Sequence, residues 1–431
     1  MSIRNLPRLC SIALIAMCCA DCCAQTGTFE ERVKAVMARP EFAHSRFGIE
    51  LYALDTARPV YTLSEQELFV PGSTTKLLTE GTALEVLGGE YRFHTRIYRT
   101  GPIKGDTLDG DLVLVASGDP NLSNRIQPDE TLVFENEDHS YGGPDSKGLP
   151  GDRLAVIREL ARQVAAKGIK KIGGRVLVDS SLFPEGEREL GTDVVLSPIV
   201  VNDNVVDVIA TPGASEGAPV SLEVMPQTAY VKIVNKAVTG KAGVKSSLDY
   251  KDDLANHEGT RTVTLAGGLG VGARPEMISY RVPEPSRFAA VVLQEALRDV
   301  GVQASAARVS DKPDFRALAK SYTTANMVAE HVSAPLKEEV KVTLKVSQNL
   351  HASMTPYLLG ALVAKKTDGA SQAGFDVEHD LLSKAGLDLT AASQSDGAGG
   401  NAFFTPDFMV HYLLWMSKQK DFEDFYRGLP I

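Results

Sequence analysis

The sequence predicts an α+β protein in which a helical unit is interrupted by a large β-rich insert. Three observations carry this. Residues 46–54 and 59–62 alternate as two short strands, and the apolar run Leu77, Leu78, Ala83, Leu84, Val86, Leu87 follows with helical spacing. From about residue 91 to 280, short β-rich runs separated by turn residues dominate. Helical pattern returns at Ser286, after Pro283 and Pro285, and persists to the end. Strands and helices in separate runs point to helices packed on an antiparallel sheet.

A chain of 431 residues with ordinary globular composition can hold two or three domains. Its net charge of −10 argues against a nucleic-acid partner. The N-terminus reads as a signal peptide over residues 1–24. Arg4 and Arg8 supply the positive region, residues 9–20 are apolar but too short to span a bilayer, and cleavage falls near Ala24-Gln25. All five cysteines, Cys10, Cys18, Cys19, Cys22 and Cys23, lie within this segment. The mature chain is therefore expected to have no disulfide, no cysteine-ligated metal and no transmembrane span. Met17 before Cys18 and Asp21 before Cys22 are poor neighbours for lipidation. Export to the periplasm or cell surface is the expectation.

Along the chain, residues 29–37 read as a short helix, and the helix after Lys76 is expected to stop at Gly88-Gly89. Strands are expected at 91–98, 112–116, 171–178, 229–234 and 261–266, with one helix over 152–166. The long polar loop 121–151 reads as a mobile segment or lid. Helices are expected at 286–300, 326–331, 335–346, 349–363 and 405–415. These divisions give residues 25–90 and 281–431 as one domain and 91–280 as an inserted region of one or two subdomains. The eight histidines are scattered without ligand spacing, so neither a metal nor a cofactor is assigned.

Phe69-Val70-Pro71-Gly72-Ser73-Thr74-Thr75-Lys76-Leu77-Leu78 is the stretch with chemical content. On a helix, positions i and i+3 share a face, so Lys76 projects beside Ser73. A helix N-terminus favours developing negative charge, and a lysine whose pKa falls on burial can take a hydroxyl proton. The plain alternative is a helix cap beside a solvated lysine. Roughly one or two Ser-x-x-Lys matches are expected by chance in such a chain, and Ser417-Lys418-Gln419-Lys420 is one that reads as surface. Further along, Ser347-Gln348-Asn349 offers a hydroxyl to relay a proton and an amide to bind a carbonyl, or else a pair of helix caps.

Order and context go further. Pro71 to Leu77 followed by Leu84-Glu85-Val86-Leu87-Gly88 resembles the nucleophile segment of the class C low-molecular-mass penicillin-binding proteins, the D-alanyl-D-alanine carboxypeptidase/endopeptidase family. Gly110-Asp111-Leu112 with Gly118-Asp119-Pro120-Asn121-Leu122-Ser123 is similar to a signature in that family's insert, as is Ile172-Gly173-Gly174-Arg175-Val176-Leu177-Val178-Asp179-Ser180-Ser181-Leu182-Phe183. Pro198, Asn202, the run from Asn204 to Val208, and Pro212-Gly213 resemble the next. Ser333-Ala334-Pro335-Leu336 ahead of Ser347-Gln348-Asn349 resembles the approach to the second motif, and Ser395-Asp396-Gly397-Ala398-Gly399-Gly400 resembles the family's Asp-Gly-Ser-Gly loop. The long insert is itself a family trait.

The resemblance implies a penicillin-binding/transpeptidase-like domain interrupted by the insert. It implies Ser73 as nucleophile, Lys76 as base, Ser347 as proton relay, and Asn349 as substrate ligand. It also places Asp179 near the pocket for the peptide stem, where a strand-end turn residue is the other reading. Peptidoglycan stem peptides are the implied substrates and β-lactams the implied covalent inhibitors. The family's Lys-Thr-Gly motif is missing: Lys366-Thr367-Asp368-Gly369, Lys384-Ala385-Gly386 and Lys241-Ala242-Gly243 all fail by sequence or place. Arg427-Gly428-Leu429-Pro430-Ile431 resembles the turn into the family's final strands, so the chain is expected to be a piece of a longer one. Ala398 and Gly400 replace a usual serine and leucine, and Ser353 stands where glutamate is common. The expected function is a penicillin-sensitive serine D-alanyl-D-alanine carboxypeptidase/endopeptidase. A non-catalytic cell-wall-binding protein of the same fold is the alternative, and a β-lactamase is disfavoured by the long insert.

Overall fold

A computed structural model describes residues 27–306 and 312–430; the expected signal peptide lies outside them. Helix α1 (Phe29–Met37) opens on a reciprocal cap, with Thr28 Oγ1 accepting from Glu31 N and the Glu31 carboxylate accepting from Thr28 N. Strands β1 (Ile49–Ala53) and β2 (Arg58–Leu63) pair antiparallel. A 3-10 turn, Gly72–Thr75, runs into α2 (Lys76–Leu87), which stops at Gly88 with φ of +89°.

Strands β3 (His94–Arg99), β4 (Ile103–Lys104), β5 (Thr107–Leu108) and β6 (Leu112–Val115) come next, then α3 (Ala155–Ala166) and β7 (Lys171–Asp179). Shorter strands follow: β8 (Val205–Thr211), β9 (Ser221–Met225), β10 (Val231–Asn235), β11 (Val238–Gly240), β12 (Asp249–Ala255), β13 (Arg261–Ala266), β14 (Gly268–Gly270), β15 (Glu276–Met277) and β16 (Tyr280–Arg281). They form small sheets of their own. Helix α4 (Pro285–Asp299), β17 (Gln303–Ala306) and β18 (Met327–Val332) return to the first sheet. The chain continues through α5 (Leu336–Lys345), α6 (Asn349–Leu362), α7 (Ala370–Lys384), β19 (Ala392–Gln394), β20 (Ala402–Phe404), α8 (Pro406–Met416) and α9 (Phe422–Gly428).

The largest sheet runs β18-β3-β6-β7-β5-β4, with β17 added on β7. Its centre is the parallel pair β6 and β7, in register Leu112↔Val176 to Val115↔Asp179. Such a pair is covered on both faces, which is why Leu112-Val113-Leu114 is apolar without alternation. Helices α3 and α4 cover one face through Ile157, Leu160 and Val164, and through Phe288, Val292 and Leu297, at helical spacing. A second core joins α2, α5, α6, α7, α8 and α9, and Phe183, Val194, Leu196 and Val200 enter it from the β-rich region.

Most sequence-expected elements occur within a few residues of their expected bounds. Residues 326–331 do not form the expected helix. Asn326 ends a 3-10 turn, and the rest belong to β18, an edge strand antiparallel to β3 from Met327↔Tyr98 to Val332↔His94. Cross-strand pairing decides: Glu330 takes hydrogen bonds from His94 at 2.9 Å and Arg96 at 2.7 Å, while Val328 and Ala329 are buried. The loop 121–151 is not a free lid either. Asn121, Ser123, Arg125, Asp138, His139 and Ser140 in it are all buried.

Candidate active site

Ser73 is exposed on the 3-10 turn, one turn ahead of α2 rather than within it, and Lys76 is the first residue of the helix. The spacing still puts them together: Lys76 Nζ lies 2.9 Å from Ser73 Oγ. The second motif meets the same ammonium, with Ser347 Oγ at 3.1 Å and Asn349 Oδ1 at 2.7 Å. A fourth acceptor, the carbonyl oxygen of Ala398, lies at 3.3 Å. Four acceptors surround a group with three N–H bonds, and Lys76 is 1% exposed. Burial lowers its pKa from the usual 10.5 to about 8, against the opposing pull of the Glu189, Glu80 and Asp396 carboxylates.

Local structure explains each position. Ser347 is the joint between α5 and α6, and its φ of +58° is left-handed, unusual for a residue with a side chain. Gln348 caps α6, accepting from Leu350 N at 3.0 Å, which turns Asn349 inward as the first helical residue. The loop after β19 is folded around Asp396, whose Oδ1 accepts from the backbone N–H groups of Ala398, Gly399 and Gly400. That cage turns the Ala398 carbonyl toward Lys76. A hairpin formed by residues 187–196 completes the surround. Glu189 accepts from Gly191 N at 2.8 Å and Thr192 Oγ1 at 2.7 Å, and a Cβ built on Gly191 would fall 2.4 Å from Asn349 Nδ2. Leu190 at its tip is 72% exposed.

Four of the five sequence-expected site residues thus converge: Ser73, Lys76, Ser347 and Asn349. Asp179 does not join them through any hydrogen bond. It ends β7, 4% exposed, and accepts from Tyr322 Oη at 2.7 Å and Ser181 N at 3.0 Å. Reading the sequence missed Gly191, Glu189 and Tyr141, and named Ala398 only as a member of the acidic-glycine loop, without its carbonyl contact to Lys76. Tyr141 Oη donates to Ser347 O at 2.7 Å and accepts from Asn349 N at 3.2 Å. No local pattern marks that residue, whose contact spans 206 positions of sequence.

Two histidines are buried beneath the site in an ion-pair network. His139 lies between Asp203 and Asp207, and His351 between Asp203 and Glu339. Burial opposes charge on both, and the carboxylates overcome it, pushing each pKa up to about 10. Asp138, His139 and Asp203 bring potential metal-binding atoms within 4.8 Å of one another. The Arg125 guanidinium already bonds both Asp138 and Asp203, so this is an ion-pair cluster that a further cation would disrupt.

The arrangement is a hydroxyl paired with a buried, weakened ammonium, backed by a second hydroxyl and a carboxamide. That is machinery for acyl transfer through a serine. Comparison with known proteins agrees. A D-alanyl-D-alanine carboxypeptidase of an Actinomadura species is 27% identical over 411 residues, covering 90% of this chain and 68% of its own length. The D-alanyl-D-alanine carboxypeptidase DacB of Haemophilus influenzae is 23% identical over 371 residues, covering 83% and 68%. The crystal structure of penicillin binding protein 4 from Haemophilus influenzae, complexed with a β-lactam, superposes with a TM-score of 0.67 at 20% identity, over 89% of this chain and 77% of that one. The fold is thus the expected penicillin-binding/transpeptidase-like one with additional β-rich regions. A profile of D-Ala-D-Ala carboxypeptidase 3 (S13) matches residues 29–431, and the chain belongs to that family.

Proposed function

We propose that the protein is a penicillin-sensitive serine D-alanyl-D-alanine carboxypeptidase/endopeptidase that cleaves peptidoglycan stem peptides through an acyl-enzyme on Ser73. The observation that carries this is the convergence of Ser73, Ser347 and Asn349 on one buried lysine across more than 270 positions of sequence. With a pKa of about 8, roughly a tenth of Lys76 is neutral at pH 7. Neutral Lys76 keeps two N–H donors for Asn349 Oδ1 and the Ala398 carbonyl, and its lone pair accepts the Ser73 proton. Ser73 Oγ attacks the carbonyl of the D-Ala-D-Ala bond, and the backbone N–H of Ser73 donates to the oxyanion. Lys76, now an ammonium, passes a proton through Ser347 Oγ to the departing amine. Water then attacks the ester and regenerates Ser73. Asn349, its Oδ1 held by Lys76, presents Nδ2 to a carbonyl of the substrate. Asp179, with Tyr322 beside it, is assigned to the pocket for the peptide stem.

No helix among the described residues is long and apolar enough to cross a membrane, and the substrate places the enzyme in the periplasm or at the cell surface. The catalytic part is residues 25–90 with 281–431, and 91–280 is the insert. The shared core of α4 and β18 with the largest sheet favours moving the second crossing to about residue 332. The test is the intact mass of the protein after incubation with a β-lactam. One added drug, mapped to Ser73 and lost in Ser73→Ala, is the expected result. No adduct, or an adduct that persists in Ser73→Ala, would overturn the assignment, and its absence is what a non-catalytic cell-wall-binding protein would give.

A further inference from the structure

We infer that Tyr141, in the loop before α3, is a positioning residue for acyl transfer: its hydroxyl holds Ser347 in the left-handed conformation that brings Ser347 and Asn349 to Lys76. This rests on the acyl-enzyme reading above and extends it to a residue outside the three motifs.

The geometry of the joint is the argument. A left-handed residue with a side chain is disfavoured and persists only where its surroundings hold it. Ser347 is such a residue, and it sits where two helices leave peptide groups without helical partners. Its own carbonyl lies just ahead of α6, and Asn349 N, at the first position of α6, is one of the N–H groups that a helix start leaves without an intrahelical partner. Tyr141 Oη serves both, donating to Ser347 O at 2.7 Å and accepting from Asn349 N at 3.2 Å. One hydroxyl therefore ties together the two peptide groups that flank Gln348. The adjacent Ser140 Oγ accepts from Gln348 Nε2 at 3.2 Å, so residues 140 and 141 contact all three members of the motif.

The clamp is itself anchored. Asp138 Oδ1 accepts from Ser140 N and Ser140 Oγ, and Asp138 Oδ2 is bonded to buried Arg125. His139 is fixed by Asp203 and Asp207, and its carbonyl accepts from Ser279 Oγ. The half-buried Tyr141 ring thus rises from a rigid base, and burial raises the pKa of its hydroxyl, which stays protonated and able to donate.

The experiment compares Tyr141→Phe with Tyr250→Phe. Tyr250 Oη donates to Ile278 O at 2.7 Å in the β-rich region, so its variant deletes the same kind of bond without touching Ser347, Asn349 or Lys76. Acylation of Ser73 by a β-lactam is timed by mass across pH 6–10, and Tm is recorded for each protein. Tyr141→Phe is expected to label the same serine about 10- to 100-fold more slowly. Its pH profile should move upward, because a loosened site hydrates Lys76. Tyr250→Phe should lower Tm with the rate unchanged. Ser140→Ala, which keeps Tyr141 and cuts the contact to Gln348, should slow labelling a few-fold and serves should Tyr141→Phe fold poorly. A Tyr141→Phe rate within twofold of wild type and an unmoved profile would overturn the assignment, as would equal slowing in Tyr250→Phe. A wild-type protein that never labels would instead remove the acyl-enzyme reading and this assignment with it.

Discussion

The pKa of Lys76 makes the sharpest prediction. Burial lowers it from 10.5 to about 8, a shift worth roughly 3 kcal/mol against the charged form. At 1% exposure solvent does little to soften it. Only the neutral amine can accept the Ser73 proton. Its fraction rises from about one part in a hundred at pH 6 to about half at pH 8, so acylation should climb about 50-fold over that interval and level off by about pH 9. An ordinary lysine would also climb, but would keep climbing beyond pH 10. The plateau, not the slope, identifies a depressed pKa. The assay is the rate of covalent labelling by a β-lactam at saturating drug, measured across pH 6–10.5. Lys76→Arg provides the companion, since a guanidinium does not lose its proton in this range, and labelling should fall to background at every pH. A flat profile, a rise with no plateau before pH 10, or a Lys76→Arg protein that labels normally would refute Lys76 as the base.

Two further predictions follow from packing. A Cβ on Gly399, whose φ is +100°, would lie 2.0 Å from Gly72 O, so Gly399→Ala should push the Ser73 turn off its loop, lower Tm and slow labelling by at least about 10-fold. For Gly400→Ala the one close approach is the flexible end of Leu190 at 3.0 Å, with Asp396 Oδ2 at an ordinary 3.7 Å, so labelling should stay near wild type; equal effects in the two would contradict this account. Glu378 is 1% exposed with neither carboxylate oxygen bonded, and burial pushes its pKa up to about 8. The folded state then holds a proton that the unfolded state releases, so stability falls as pH rises from about 4.5 and levels off above about 8. Glu378→Gln should flatten that decline in a Tm-against-pH series, and superimposable curves would show that the carboxyl is not neutral in the fold.

What could be read from the sequence was what short-range spacing encodes. Ser73 and Lys76 are three apart, and any helical turn there places them side by side, so the pair was legible even though the turn is 3-10 and the helix begins only at Lys76. Ser347 and Asn349 were legible as a triplet, and the order of weaker motifs supplied the family. Residues 326–331 were misread because Met, Ala and Glu favour helix, while the outcome was set by an open sheet edge more than 200 residues upstream. The loop 121–151 was misread for a related reason. Its polar residues suggested solvent, but Arg125 pairs with Asp138 inside the loop and with Asp203 beyond it, and His139 pairs with Asp203 and Asp207. Tyr141 carries no signal of its own, since its use depends on where Ser347 arrives after folding.

That network gives the β-rich region a part in holding the candidate site together. Arg125, Arg153, His139 and His351 face Asp138, Asp203, Asp207 and Glu339, all buried. With both histidines charged, four positive groups meet four negative ones. A buried network of this kind is weak as a source of net stability, because desolvation offsets most of the attraction; an apolar core of equal volume would hold as well. It is strong as a device for register, since moving any member strands a charge away from water. His351 lies on α6, four residues past Ser347, and Glu339 on α5 just before it, while Asp203, Asp207 and His139 belong to the β-rich region. The charges therefore lock the loop carrying Tyr141 to the two helices whose joint Tyr141 spans. Cutting out the β-rich region would leave His351 without Asp203, Glu339 without Asn121 and Ser347 without its clamp, so acyl transfer by the helical part should depend on the β-rich region even for a small β-lactam.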